Sequence, residues 1–173
     1  LTPAGMIFES GARAVGAAVL PAGVGQTDLQ VRAAVDIGTT AYAGTPDYLK
    51  VILDKAAEIG ETLSITKAVV GGGALFPSLR QEYVERGIAC LQCYATADLG
   101  NIAYESPAME GMIIDEGVIV EIVTPGTGTP VPEGEVGEVI VTTLNPDYPL
   151  IRFATGDLSA VLPGLSPCGR TNM

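Results

Sequence analysis

Ile65-Thr66-Lys67-Ala68-Val69-Val70-Gly71-Gly72-Gly73-Ala74 is the stretch on which the fold reading turns. Its apolar run is too short for a helix and empties into three consecutive glycines, the pattern of a buried strand running into a loop. Pro77 to Arg86 then has helical spacing. Leu79 and Tyr83 face inward, Glu82 and Arg86 form an i, i+4 pair, and Gly87 terminates the helix. Ile88 to Tyr94 reads as the next strand. Upstream, Thr45-Pro46 opens the clearest helix, a cap residue followed by Pro in the first turn, with Leu49, Ile52, Leu53, Ala56 and Ala57 as its stripe and Gly60 as its stop. Thr40 to Ala43 is a short strand. Thr27-Asp28-Leu29-Gln30 has capping-box spacing, with Leu29, Ala33 and Ile37 on one face and Gly38 as stop. Val15 to Leu20 reads as a buried strand ending at Pro21. The order β-α-β-α-β-α-β predicts a parallel sheet flanked by helices.

After about Gly100 no helical period is visible. Met112 to Ile114, Val118 to Val123, Val136 to Thr143 and Leu150 to Phe153 read as short strands. Asp115-Glu116-Gly117 and the turn Pro125 to Pro130 punctuate them. The expectation is an α/β protein: a parallel, helix-flanked sheet over residues 1–100, then a mainly antiparallel or barrel-like β subdomain over 101–173.

The composition fits. The chain has 173 residues, no Trp and few aromatics, and its bulk is small and aliphatic, as suits buried parallel strands. Its net charge of −11 argues against nucleic acid or an anionic membrane surface as partner. Ten acids and seven bases lie in residues 1–100, ten acids and two bases in 101–173, so the second part presents a more acidic surface. No apolar run reaches membrane-spanning length, and Glu9 and Arg13 break up the first segment. No secretory signal is visible, and three cysteines cannot pair completely, so a cytoplasmic location is expected. The start at Leu1 and the stop after Cys168-Gly169-Arg170-Thr171-Asn172-Met173 lead us to expect a fragment.

Three places invite chemistry. Gly71 to Ala74 lies where ligands of open α/β sheets bind, outside the carboxyl end of a strand. Bare backbone there admits a flat base or a phosphate; it also makes an ordinary tight turn, and the glycines alone leave both readings open. Tyr94-Ala95-Thr96-Ala97-Asp98 follows the next strand. A Tyr can stack on a base, a Thr can bond a phosphate and an Asp can hold Mg²⁺, against a core Tyr and a turn Asp. Arg152-Phe153-Ala154-Thr155-Gly156-Asp157-Leu158 reads as two strand-like runs joined at Thr-Gly-Asp. That bend would hold one carboxylate near a strand end, where it can accept two ribose O–H bonds or serve the turn alone. Three such loops in order favour one nucleotide site.

Other constellations offer less. Cys90 and Cys93 are three apart, which on a strand puts them on opposite faces, a poor geometry for zinc. With no His in the chain, Ser-His-Asp and Cys-His hydrolases are excluded. The acids of Pro132 to Glu138 lack the pattern of a calcium loop and read as a solvated hairpin.

The ordered motifs resemble those of the adenylate-forming acyl-coenzyme A ligases, most closely the phenylacetate–coenzyme A ligase group. Gly44-Thr45-Pro46-Asp47-Tyr48-Leu49 matches Gly-Thr-Pro-x-Tyr-Leu, and Gly71 to Ala74, followed by Leu79-Arg80-Gln81-Glu82, matches the adenine-side loop. Tyr94 to Asp98 stands where the family has Tyr-Gly-x-Thr-Glu. Gly134 to Glu138 through Thr142-Thr143-Leu144 and Pro149 to Asp157 match the two most specific motifs. The resemblance covers nearly all of the chain. It implies a central portion of the large N-terminal domain, 1–100 being a partial adenine-binding subdomain and 101–173 the β-rich one.

It implies further that the whole enzyme joins a carboxylic acid, phenylacetate or another aromatic acid, to ATP with Mg²⁺, and then to coenzyme A. Gly71, Gly72, Gly73 and Tyr94 would border adenine, Thr96 would lie near phosphate, Asp98 would hold Mg²⁺ and Asp157 the ribose. Small molecules are then the partners, with a homodimer as in relatives. The family's Gly, Thr and Glu are here Ala95, Ala97 and Asp98. Ala97 has no hydroxyl, Thr96 is one position early, and Asp98 is one methylene shorter. The upstream phosphate loop and the lysine-bearing C-terminal domain lie outside this sequence. No catalytic residue is therefore assigned, and the fragment is expected to be inactive. Gly169-Arg170-Thr171-Asn172 is similar to the family's Gly-Arg-x-Asp hinge, although a Cys-Gly-Arg-Thr segment can precede the true hinge in this group. A ligase-derived nucleotide-binding or regulatory module without catalysis is the alternative.

Overall fold

Thr2 caps the first helix in the computed structural model, which describes residues 2–171. Its side chain accepts from the Gly5 N–H at 3.2 Å, and Pro3 occupies the first turn where its missing N–H costs nothing. The chain divides into two compact units, Leu1–Gln92 and Cys93–Met173.

The first unit contains α1 (Pro3–Ala14), α2 (Thr27–Ile37), β1 (Ala41–Gly44), α3 (Pro46–Glu58), β2 (Lys67–Val70), α4 (Pro77–Glu85) and the start of β3 (Ala89–Thr96). β1, β2 and β3 are parallel, with Ala41 opposite Lys67 and Lys67 opposite Ala89. Each crossover carries one helix, as parallel strands require. Leu49, Ile65, Val70, Tyr83 and Ile88 form the main core, and Val31, Ile52 and Ala56 a smaller one between α2 and α3. The fully buried Tyr83 donates its hydroxyl to the Pro46 carbonyl, tying α4 to the first turn of α3. Outside the core, Lys50, Asp54, Glu82 and Arg86 form an ion-pair network between the same two helices.

The parallel order is as expected, with three strands in place of four. Val15 to Leu20 is not a strand: Val15 is 84% and Leu20 50% exposed. An apolar run becomes a strand only beside a partner, and here it merely follows α1. Glu9 and Arg13, which interrupt the apolar pattern, are an i, i+4 ion pair on that helix. In α2 the buried face is Val31 and Ala34, while Leu29 and Ile37 are exposed. The capping box does not form either. Gln26 precedes the helix in a left-handed conformation, and the Gln30 amide donates to the Gly25 carbonyl at 2.7 Å. The α3 stripe is as read, save that Ala57 is exposed.

The second unit takes the end of β3 and adds β4 (Gly100–Tyr104), β5 (Ile113–Ile114), β6 (Val118–Val123), β7 (Gly137–Thr143) and β8 (Phe153–Ser159). β3, β4 and β5 pair antiparallel, and so do β6, β7 and β8. The antiparallel β-rich character is as expected. Leu99, Ile102, Ile122, Val139 and Val141 form the core, with Tyr94 and Phe153 packed against it. At Gly137, β7 runs so close to β6 that a Cβ would collide with the Val123 carbonyl oxygen.

Two corrections bear on function. The strand read to end at Tyr94 does not stop there; β3 continues through Ala95 and Thr96 and turns only at 97–99 into β4. Thr155-Gly156-Asp157 is not a bend between two strands. Leu150 to Ile151 precede β8, which then runs unbroken through Thr-Gly-Asp. Ala154 pairs with Ile140 and Leu158 with Glu138, so three residues of β8 face Val139 alone. That is a β-bulge, a device that re-aims side chains at a strand position.

Candidate functional site

The glycine loop belongs to the first unit. The Gly71 N–H donates to the Gly44 carbonyl at 3.0 Å, continuing the parallel ladder one step beyond β2. Gly72 then turns with a φ of +71°, a conformation that favours glycine. A Cβ on Gly73 would meet the Pro46 ring at 3.6 Å, ordinary contact, so what that glycine contributes is uncovered backbone. The loop leads to Phe76 and α4.

The other site residues belong to the second unit. There the fold joins Tyr94 to Asp157, 63 positions later: the phenol hydroxyl donates to Asp157 Oδ2 at 2.6 Å. The bulge makes this meeting possible. Gly156 adopts a φ of +78°, and the Asp157 N–H turns back onto Thr155 Oγ1 at 3.1 Å. Thr155 Oγ1 in turn donates to the Val139 carbonyl at 2.9 Å, the acceptor that the bulge would otherwise leave unpaired. Burial first, and then the Asp157 carboxylate accepting its proton, push the Tyr94 phenol up to about 12. Tyr94 is therefore a donor throughout the neutral range, and Asp157 its acceptor.

Thr96 and Asp98 sit at the β3–β4 turn. Thr96 Oγ1 accepts from the Leu99 N–H at 3.0 Å, so it shapes the turn. Asp98 is exposed and borders a cleft of about 240 Å³ with Asn101, Asp115, Thr143 and Asn145. Asp115 is already engaged, by the Asn101 amide at 3.0 Å and the Gly117 N–H at 2.8 Å. Among the described residues, no group of three His, Cys, Asp or Glu side chains is placed to share a metal ion. Mg²⁺ keeps water and phosphate as most of its ligands and needs only one or two protein carboxylates. A single Asp98 fits that modest requirement.

Two residues escaped the sequence reading. Thr155 stood in the quoted motif without a role; a hydroxyl two residues before the Asp is the signature of a side-chain turn. Arg152 has a left-handed φ of +51°. It donates to Glu121 Oε2 at 3.0 Å and to the Gly128 carbonyl at 2.7 Å, fastening the β6–β7 connection beside the start of β8. Cys90 is buried and Cys168 exposed, and none of the three cysteines is in a disulfide. Arg170 donates to the Tyr104 hydroxyl at 2.8 Å and to Glu116 at 3.0 Å, whereas Asn172, the end of the hinge-like segment, lies outside the described residues. No helix among the described residues is long and apolar enough to cross a membrane.

No family model matches the chain. It is 30% identical to a phenylacetate–coenzyme A ligase of Thermus thermophilus over 178 residues, a match covering 98% of this chain and 40% of that protein. It is 32% identical to that of Escherichia coli, covering 92% of this chain and 39% of that protein. The chain thus spans about 40% of the length of these curated relatives. A 2-hydroxyisobutyryl-CoA ligase crystallised with 2-HIB-AMP and CoA shares the fold, with a TM-score of 0.85 at 23% identity, over 94% of this chain and 38% of that one. An anthranilate-CoA ligase bound to anthranoyl-AMP does so at a TM-score of 0.66 and 18% identity, over 84% of this chain and 32% of that one.

Proposed function

The chain belongs to the adenylate-forming acyl-coenzyme A ligases, and from that premise we propose that it carries much of the adenosine pocket of an AMP-forming acid–thiol ligase. The whole protein would condense a carboxylic acid, phenylacetate or another aromatic acid, with ATP. The acid's carboxylate oxygen attacks the α-phosphorus, pyrophosphate leaves, and an acyl-adenylate results. The thiol of coenzyme A then attacks the acyl carbon and AMP departs. Residues 1–100 would be the partial adenine-binding subdomain and 101–173 the β-rich one. Homodimeric assembly and a cytoplasmic location complete the reading.

In this proposal Gly71, Gly72 and Gly73 leave room for the adenine edge, and Tyr94 offers its ring face to the base. Asp157 accepts from the ribose hydroxyls, each a charge-assisted bond. Thr96, whose oxygen already accepts from Leu99, still has a hydroxyl proton to give a phosphate oxygen. Asp98 would hold Mg²⁺, which neutralises phosphate charge as pyrophosphate separates.

The observation that carries the reading is the Tyr94–Asp157 hydrogen bond. It brings together the two side chains that the family resemblance assigns to one nucleoside. Calorimetric titration of the chain with AMP tests it. Binding in the micromolar range that weakens about tenfold or more in Asp157→Ala is the expected result; undiminished binding in that variant would refute the ribose assignment. Pyrophosphate release by the chain from ATP and phenylacetate is expected to be undetectable, and turnover would show that the chain needs nothing more to catalyse.

A further inference from the structure

Asp157 is a short acid on an exposed strand, with two rotatable bonds and no packing to fix them. A free carboxylate of that kind sweeps through several rotamers, and each must be frozen when a ligand binds. Here both ends of the residue are held. Its N–H is turned onto Thr155 Oγ1 at 3.1 Å, and Thr155 is itself anchored on the Val139 carbonyl at 2.9 Å. Its tip is held by the Tyr94 hydroxyl on Oδ2 at 2.6 Å. Tyr94 is in turn fixed by packing against the core of Leu99, Ile102 and Val139. An ionised carboxylate has about four lone-pair positions. Tyr94 takes one, and among the described residues nothing donates to Oδ1. One lone pair on Oδ2 and those of Oδ1 remain, enough for two vicinal hydroxyls.

We propose that Tyr94 is a positioning residue for Asp157: its hydroxyl, with Thr155 below, presets the carboxylate to receive a vicinal diol, and so sets the preference for a ribonucleotide over one lacking its ribose hydroxyls. The inference rests on the nucleotide-site reading above and adds to it. A ring stacked on a base does not need a hydroxyl; the preference for a diol does. The competing role is structural, the bond serving only to pin β3 against β8. A structural bond would weaken every ligand alike when lost. A positioning bond weakens only ligands that bring the diol.

Titration of the 173-residue chain with AMP and with 2′,3′-dideoxy-AMP separates the two roles. The unsubstituted chain is expected to prefer AMP by about tenfold or more, the worth of one charge-assisted hydrogen bond. Tyr94→Phe keeps the ring and is expected to lose most of that preference through weaker AMP binding, with dideoxy-AMP unchanged. Thr155→Val should erode the preference in the same direction, and Thr155→Ser should retain it. Equal weakening of both nucleotides in Tyr94→Phe would overturn the inference and leave the nucleotide site standing. Should Tyr94→Phe not fold, a full preference in folded Thr155→Val would overturn it instead. No AMP binding by the unsubstituted chain would overturn both the site and the inference.

Discussion

The Gly71–Gly73 loop ends a strand and the Thr155–Asp157 bulge distorts one, and they depart from the regular ladder by opposite means. The loop removes side chains: its one ladder bond is backbone to backbone, and Gly72 turns freely. The bulge adds residues and then stitches them down with hydroxyls, Thr155 to Val139 and Tyr94 to Asp157. The first offers space and bare amides, suited to a flat group recognised by shape. The second offers one aimed charge, suited to a hydroxylated group recognised by hydrogen bonds. Local freedom therefore has no single functional meaning; what matters is whether anything fixes it afterwards.

Substitutions put this contrast to the test. The largest effect is expected beneath the loop. Leu49 is fully buried in the core that carries β2, and Leu49→Ala should cost about 2–5 kcal/mol in urea unfolding, eroding the frame that presents the loop. Tyr83→Phe comes next. It strips the Pro46 carbonyl of its buried donor and should cost about 1–3 kcal/mol by the same measurement. The paired test follows. Gly72→Ala and Gly156→Ala each place a side chain at a positive φ with no serious clash, so each should cost about 1–2 kcal/mol. Only Gly156→Ala should also reduce the preference for AMP over its dideoxy form. Equal loss of preference in both would dissolve the contrast.

The smallest effect is electrostatic. Lys50 first, and Arg86 with it, hold the Asp54 and Glu82 carboxyls below their ordinary values of 3.8 and 4.5. A depressed folded value stabilises above the ordinary one, and that stability is lost as pH falls through the folded value. The thermal midpoint should therefore drop as pH falls below about 4.5, and less so in the pair Asp54→Asn, Glu82→Gln. These groups are partly exposed, so the drop should be slight and shrink further in salt.

Local chemistry in the sequence explains which parts were legible. Thr45-Pro46 and Gly60 mark α3 because a cap, a Pro and a terminal glycine act within one turn. Thr2-Pro3 carries the same signal for α1 and went unread, because the apolar pattern behind it is interrupted by Glu9 and Arg13. Val15 to Leu20 misled for the reverse reason: its pattern is apolar, but no strand lies beside it. The proposed site residues stand in the sequence only as residue types in order. Their relation was not legible there. A bulge is defined against its partner strand, and nothing within Thr155-Gly156-Asp157 reveals that Val139 alone faces them. Nor does the run from Tyr94 to Thr96 disclose that β4 will pair with it and hold it in the strand.

Gly137 has a consequence of another kind. No side chain fits between β7 and the Val123 carbonyl, so a saturation scan would find this position as intolerant as any in the chain. Asp157, exposed and unpacked, would tolerate many replacements in a screen for folded protein and few in a screen for nucleotide binding. Ranking positions by intolerance alone would place the empty one above the one proposed to meet a ribose. Only the difference between two screens, one for abundance and one for binding, would sort architecture from recognition.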